Sequence, residues 1–245
     1  MRLSDDSDPY LSDKSFSAGL KVSFEYDEQD KKYCSRIDIL KEMCFGKRVV
    51  HAGCVDHDID TIIKKTRRDK WLHGILCDCA ERCFGVDIDE EGVRYIHQTL
   101  GISDVECSNI LECNNKALMN ESWDCILIPE VLEHCDNPVD FLQKIHEKFK
   151  RNIRRIILTV PNAFSRENYR NTKKGIESVN SDHRYWFTPY TLTKVVSRAG
   201  FIVDELRMCR SGIIKKRTFL KNLYYRTHPL VRNGMILIGS FNKKV

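Results

Sequence analysis

From Lys47 onward, short apolar runs alternate with stretches whose apolar residues recur at helical spacing. Compact apolar runs bounded by polar residues predict strands buried on both faces, and the periodic stretches between them predict crossover helices over a mostly parallel sheet. The predicted strands are Arg48–His51, Cys83–Asp87, Val105–Asn109, Trp123–Ile128 and Arg155–Val160. The predicted helices are Ile59–Ala80, Glu90–Leu100 and Pro138–Lys150, the last with proline in its first turn, where no amide is missed. Beyond residue 200 the pattern changes. Phe201–Met208 and Met235–Phe241 predict two further strands paired antiparallel, separated by a basic stretch at about 211–232 with its own helix over Ile213–Tyr225. The fold class is α/β, a doubly wound seven-stranded sheet, mostly parallel with an antiparallel C-terminal strand.

The chain's 245 residues and 28.6 kDa suit one large domain whose core needs no disulfides. No apolar run approaches the roughly 18 residues of a membrane span, and the polar start at Met1–Asp8 lacks a secretory pattern, so a cytoplasmic location is expected. Residues 1–32 read as an acidic, partly disordered segment, with disorder expected over Ser4–Ser17, and 33–245 as the folded domain. The eleven cysteines are odd in number and several fall in predicted strands, which favours reduced, buried thiols. Cys77, Cys79 and Cys83 are the one cluster that could bind metal. Cys79 and Cys83 are read as sharing a helical face with Cys77 pointing away, and no metal site is predicted. The net charge of +5 is uneven: residues 1–31 hold eight acids and four bases, residues 206–245 ten bases and no acid.

Three motifs carry chemistry. Val49-Val50-His51-Ala52-Gly53-Cys54 is a strand running into a glycine turn, which lets a ligand approach the backbone. Phe84-Gly85-Val86-Asp87-Ile88-Asp89 is a strand ending in an acid 34 residues after Gly53, placed to accept both hydroxyls of a ribose, while Asp89 is the better cap for the next helix. Trp123-Asp124-Cys125-Ile126-Leu127-Ile128-Pro129-Glu130-Val131-Leu132-Glu133-His134 is a buried strand broken by proline that leads into Glu-His. In this order and spacing, over about residues 33–205, these motifs resemble class I S-adenosylmethionine-dependent methyltransferases, especially the small-molecule O-methyltransferase branch. Leu158–Asn162 looks like that family's fifth strand and exit loop, and His183–Phe201 like its substrate-side loop, helix and Ala-Gly-Phe turn. The start from His51 to His57, with Trp71-Leu72-His73, is loosely similar to methyltransferases of surface-polysaccharide pathways.

The resemblance implies a Rossmann-like domain with S-adenosylmethionine as cofactor. It places Gly53 and its neighbours, His51 among them, at the methionine moiety, Asp87 on the ribose, Ile88 on adenine, Asn109 and Ile110 at the adenine edge, and the Pro129 backbone nearby. Arg36 matches an arginine that pairs with the cofactor carboxylate in some members. The chain departs from the family pattern at three positions: His51 replaces the first-strand acid, Val55 a glycine, and Asn109 the third-strand acid.

Methyl transfer to an alcohol needs alignment and a base. His134, just beyond the fourth strand, and His183, in Ser181–Phe187 among aromatics, are the candidate catalytic residues; Glu130 and Glu133 either orient a hydroxyl or a histidine or, at a helix start, complement the dipole, and neither is taken as catalytic. The expected acceptor is a small molecule or saccharide, anionic or lipid-linked if the basic segment from Lys215 to Arg226 engages it or an anionic membrane surface. The competing readings are a degenerate, non-catalytic binding protein, motivated by His51 and Val55, and an RNA methyltransferase. Against the latter stand the small net charge and the absence of an Asn-Pro-Pro-Tyr-like motif.

Overall fold

The computed structural model describes residues 1–4, 7–212, 214 and 218–241. The chain opens with β1 (Arg2–Leu3), α1 (Asp8–Leu11), β2 (Phe24–Glu25) and α2 (Arg36–Cys44). The alternation follows as β3 (Arg48–Ala52), α3 (Ile59–Thr66), α4 (Leu72–Cys79), β4 (Arg82–Asp87), α5 (Glu90–Gln98), β5 (Val105–Cys107), α6 (Lys116–Asn120) and β6 (Trp123–Pro129). After a 3₁₀ turn at Leu132–His134 come α7 (Pro138–Phe149), β7 (Ile153–Pro161), α8 (Arg166–Thr172), α9 (Pro189–Arg198), β8 (Ile202–Cys209), α10 (Phe219–Thr227) and β9 (Gly234–Ser240).

Seven strands form one sheet in the order β5-β4-β3-β6-β7-β9-β8. β3 pairs in parallel with β4 and with β6, β4 in parallel with β5, and β8 antiparallel with β9. The predicted Rossmann-like architecture is the one formed. The order reverses at β3, flanked by β4 and β6, and in such sheets ligands bind beyond the carboxyl ends of strands at this switch point.

The chain divides into two compact units, one of Ile37–Pro129 with Glu147–Ile157, the other of Met1–Arg36, Glu130–His146 and Leu158–Val245. In the first unit, Val49, Val50, Phe84, Val86, Ile126, Leu127 and Ile128 are buried, as strands covered on both faces require. A cluster of Cys54, Val55, Ile62, Trp71, Val93 and Ile96 fills the space between sheet and helices. The single helix expected over 59–80 is two, α3 and α4. Asp69 takes a left-handed φ of +51°, and Trp71 is extended so that its buried indole N–H donates to the Cys54 carbonyl at 3.1 Å. Satisfying and burying that indole overrides the helical periodicity.

In the second unit, β8 and β9 pair along seven registered positions, with an irregularity between Val203 and Glu205. Arg232 is 1% exposed. Its guanidinium donates to the carbonyls of Tyr225, Met208 and Asp30, so the charge is buried only because its nitrogens find oxygen partners. Among the described residues of the N-terminal segment, β1 pairs with β2, α1 lies on α9, and Lys194 donates to the Tyr10 carbonyl and pairs with Asp13. The helix expected over Ile213–Tyr225 begins at Phe219; Ile213 and Lys215, Lys216 and Arg217 lie outside the described residues, as do Asp5 and Asp6. No helix among the described residues is long and apolar enough to cross a membrane.

Candidate active site

In the first unit, the chain leaves β3 through Gly53 at a φ of +82°, which an L side chain rarely adopts, and Gly53 N–H donates to the Val86 carbonyl at 2.9 Å. Asp87, at the end of β4, accepts from Val55 N–H at 2.8 Å through one oxygen and from Asp89 N–H at 3.1 Å through the other. The acid therefore ties the β3 loop to the start of α5, and each oxygen retains a lone pair for a ligand. Ile88, the next residue, is 77% exposed, an apolar surface with nothing covering it beside a half-buried carboxylate. Asp89 caps α5 by accepting from Glu91 and Gly92 N–H. Asn109 is exposed, its Oδ1 accepting from Leu111 N–H, and Pro129 is half-buried at the end of β6.

The departures at His51 and Val55 resolve inside the protein. Val55 is 1% exposed and fills a hollow on α5, where a Cβ on Gly92 would lie 2.3 Å from its Cγ1. The glycine absent from the loop is thus matched by one on the helix facing it. His51 was expected to line the cofactor, but its ring is 1% exposed and its Nδ1 lies 3.1 Å from His73 Nδ1. Ile110, expected at the adenine edge, is 8% exposed, its side chain contributing to the interior. Neither replacement places a side chain on the exposed side of the Gly53 turn, so the turn, the acid and the apolar residue after it still fit a nucleoside.

In the second unit, Glu130 follows β6 at a φ of +53°, a conformation uncommon outside glycine and one that collects at functional sites. Its carboxylate pairs with Arg36 at 2.7 Å and accepts from the Thr159 hydroxyl at 3.0 Å. Arg36, expected to pair with a cofactor carboxylate, is paired with Glu130 in this structure. The helix start expected around Glu130 and Glu133 is only the short 3₁₀ turn, so neither acid complements a helix dipole. Glu133 is fully buried and neither carboxyl oxygen has a hydrogen-bond partner. Burial, reinforced by the negative charge of Glu130, raises its pKa from the ordinary carboxylate value to about 8.

His134 follows immediately, its Nδ1 3.0 Å from Asp182. His183 stands edge-on to His134 at 4.6 Å between ring centres, with Nε2 3.2 Å from the Asn180 amide and a buried Nδ1 that has no partner. Burial, and then the neighbouring His134, lower the His183 pKa and favour its neutral form. The loop that brings His183 here is fastened to the 3₁₀ turn: Arg184 N–H donates to the Glu133 carbonyl, its guanidinium reaches the His134 carbonyl and Asp136, and the Tyr185 hydroxyl donates to the Asp136 carbonyl. His183 also borders a cavity of about 370 Å³ lined by Glu130, Asn162, Ser165, Asn180 and Trp186 among others. Both histidines and Glu133 are named in the sequence, but the burial of Glu133 is not legible there, because it is set by a loop some fifty residues away. Nor does the sequence show a metal-ligand set here, whereas one ligand atom each from Glu133, His134 and His183 lie within 4.8 Å of one another, close enough to hold a cation.

A model described as a methyltransferase domain matches residues 38–206. The chain belongs to this methyltransferase family. No curated protein matches the sequence closely enough to count as a relative. Among solved structures, the chain is similar to magnesium protoporphyrin IX methyltransferase from Synechocystis PCC 6803 with bound SAH, at 14% identity and a TM-score of 0.52 over 97% of this chain and 94% of that one. A SAM-dependent methyltransferase from Aquifex aeolicus gives 13% identity and 0.50 over 88% and 94%. The small RNA methyltransferase HEN1 gives 15% and 0.55 over 92% of this chain but only 28% of that one. At such identities the likeness is one of fold. In this methyltransferase, the Gly53 turn, Asp87 and Ile88 belong to the first unit, and Glu130, Glu133, His134 and His183 to the second.

Proposed function

We propose that this methyltransferase transfers a methyl group from S-adenosylmethionine to a hydroxyl of a small molecule or saccharide. S-adenosylmethionine is the cofactor, and when bound it supplies an electrophilic methyl on a sulfonium. Asp87 would hold the ribose through its remaining lone pairs, Ile88 would cover adenine, the Gly53 turn would admit the methionine end, and Asn109 and the Pro129 backbone would border the base. The observation that carries the acceptor half is the Glu133–His134–His183 cluster beside a cavity rich in amide and hydroxyl side chains with an indole among them. Such a lining suits an acceptor with several hydroxyls, which hydrogen-bonds the amides and lays an apolar ring face on Trp186.

His134 takes the proton from the acceptor oxygen. With Nδ1–H donated to Asp182, the neutral ring keeps Nε2 as its basic nitrogen, and the carboxylate stabilises the imidazolium that forms. His183, held neutral by burial, positions the acceptor by hydrogen bonding. A second reading of the same cluster is favoured by the partnerless Glu133 carboxyl: a divalent cation held by Glu133, His134 and His183 would satisfy that group and lower the pKa of the acceptor hydroxyl. The basic α10, with Phe219, Leu220 and Leu223 exposed beside Lys221 and Arg226, supports contact with an anionic membrane surface and hence a lipid-linked acceptor.

Calorimetric titration with S-adenosylmethionine and S-adenosylhomocysteine tests the cofactor half. Micromolar binding is expected, and silence at millimolar concentration would leave a degenerate scaffold. Turnover of sugar and small-molecule hydroxyls, measured with and without a chelator, then separates the two readings of the cluster. Salt-sensitive methylation of RNA would move the acceptor to a different class.

A further inference from the structure

A second cluster of ligand-type side chains lies in the first unit, outside the chemistry above. His73 and Cys77 are one turn apart on α4 and share a face of that helix, and Cys83 is the second residue of β4. In the β3–β4 register, Val49 pairs with Cys83 and His51 with Gly85, so His51 and Cys83 project from the same face of the sheet. One ligand atom from each of His73, Cys77 and Cys83 lies within 4.8 Å of the other two. His73 Nε2 is 3.7 Å from Cys77 Sγ, His73 Nδ1 is 3.6 Å from Cys83 Sγ, and His51 Nδ1 is 3.1 Å from His73 Nδ1. His73 is 0% exposed, His51 1% and Cys83 6%, while Cys77 is only half-buried and leaves a way in. Gly85 makes room for the arrangement: a Cβ there would lie 2.7 Å from His73 Cε1. A glycine inside a buried strand marks such a close approach.

Zinc bonds of about 2.3 Å to sulfur and about 2.0 Å to nitrogen place a sulfur and a nitrogen ligand about 3.5 Å apart, close to the 3.7 Å between Cys77 Sγ and His73 Nε2. Two thiolates with an imidazole suit zinc and disfavour magnesium or calcium, which take oxygen ligands. We propose that His73, Cys77 and Cys83 hold a zinc ion that joins α4 to β4 and takes no part in the reaction. His51, which stands where the family pattern has an acid, lies 3.1 Å from His73 between Nδ1 atoms and braces that imidazole from the strand two residues ahead of the Gly53 turn. Cys79, expected to face Cys83, is instead turned to the Lys41 carbonyl at 3.9 Å, and Cys77 is the thiol that converges.

The test uses the full chain purified under reducing conditions, its metal content measured and its zinc then replaced by cobalt. Bound zinc at one per chain is expected, as are the thiolate charge-transfer and tetrahedral ligand-field bands of cobalt. Cys77→Ser and Cys83→Ser should each lose the charge-transfer intensity or weaken cobalt binding at least tenfold, and Cys79→Ser should keep both. Should Cys83→Ser fail to fold, the wild-type spectrum and the half-buried Cys77 variant still decide. Absence of thiolate bands from folded wild-type protein, their persistence in Cys77→Ser, or a Cys77–Cys83 disulfide in protein kept reduced would overturn the site. The thiolate bands depend neither on methyl transfer nor on the Glu133 cluster, which has no sulfur, and they decide where metal content alone does not.

Discussion

The two units treat their polar groups in opposite ways. Around the Gly53 turn, both oxygens of Asp87 accept backbone amides, Asp89 caps α5, and Val55 fills the hollow over Gly92. Around His134, Glu130 holds a left-handed backbone, the Glu133 carboxyl is buried without a partner, and His183 Nδ1 has none either. On the function proposed, the loop assigned to the cofactor is completed by the protein alone, whereas the site assigned to the acceptor leaves groups for the acceptor, or an ion with it, to satisfy, at the cost of a raised Glu133 pKa.

The largest effect that would break this contrast is on turnover. His134→Ala should lower kcat by about 10²–10⁴-fold, the usual worth of a positioned base, and leave S-adenosylhomocysteine affinity unchanged. Loss of cofactor affinity in parallel with kcat would mean that His134 holds structure rather than chemistry. Asp182→Asn should cost less, because the ring keeps a hydrogen-bond partner but loses the charge that stabilises its protonated form. Next in size is Asp87→Ala, which removes an acceptor from two backbone amides and from the ribose contact proposed above. At about 1.5–3 kcal/mol for each charged hydrogen bond, calorimetry should show affinity falling about 100-fold or more. Equal affinity for variant and wild type would place the ribose elsewhere.

Strand positions in the fold were legible because buried parallel strands announce themselves as short apolar runs, and the Gly53 turn, Asp87 and the Asp89 cap because each follows such a run at fixed distance. Legibility failed where distant contacts decide. The break between α3 and α4 depends on the Trp71 indole finding the Cys54 carbonyl, and the His73–Cys77–Cys83 cluster on a strand register no spacing rule contains. Glu133 reads in the sequence as an acid at a helix start or one that orients a hydroxyl or a histidine. It is buried because Arg184 and Tyr185 bring a later loop over the 3₁₀ turn, a closure that periodicity does not encode.

Glu133 also sharpens the contrast through pH, with a smaller effect. Its folded pKa of about 8 lies above the ordinary carboxylate value, so the native state retains a proton that the unfolded chain has already released. Stability is unaffected below the unfolded value near 4.5, falls as pH rises toward 8, and is then fully reduced. Glu133→Gln keeps the shape without the charge. Its melting temperature, measured with chelator present, should decline less than wild type between pH 5 and 8.5, by several degrees at the upper end. Parallel melting curves for the two proteins would show that the carboxyl finds a partner in solution.

The smallest effect concerns α10, where the second unit leaves apolar rather than polar groups unmet. Phe219, Leu220 and Leu223 fall at i, i+1 and i+4, one face of the helix, and are 69%, 79% and 46% exposed, while Tyr225 on the opposite side is buried and stacks on Tyr33 at 5.1 Å. The helix is thus anchored by one face, with the other outward beside Lys221 and Arg226. Insertion of two or three such side chains into a bilayer interface gains roughly 1–2 kcal/mol each, and nearby cations add attraction to anionic lipid. Sedimentation with vesicles containing phosphatidylglycerol should show binding that weakens with salt and falls roughly three- to tenfold in Leu220→Ser. Vesicles of neutral lipid should bind less. If anionic vesicles bind wild type and Leu220→Ser equally, the apolar face is not inserted and the attraction is charge alone; if neither binds, α10 does not dock on a membrane.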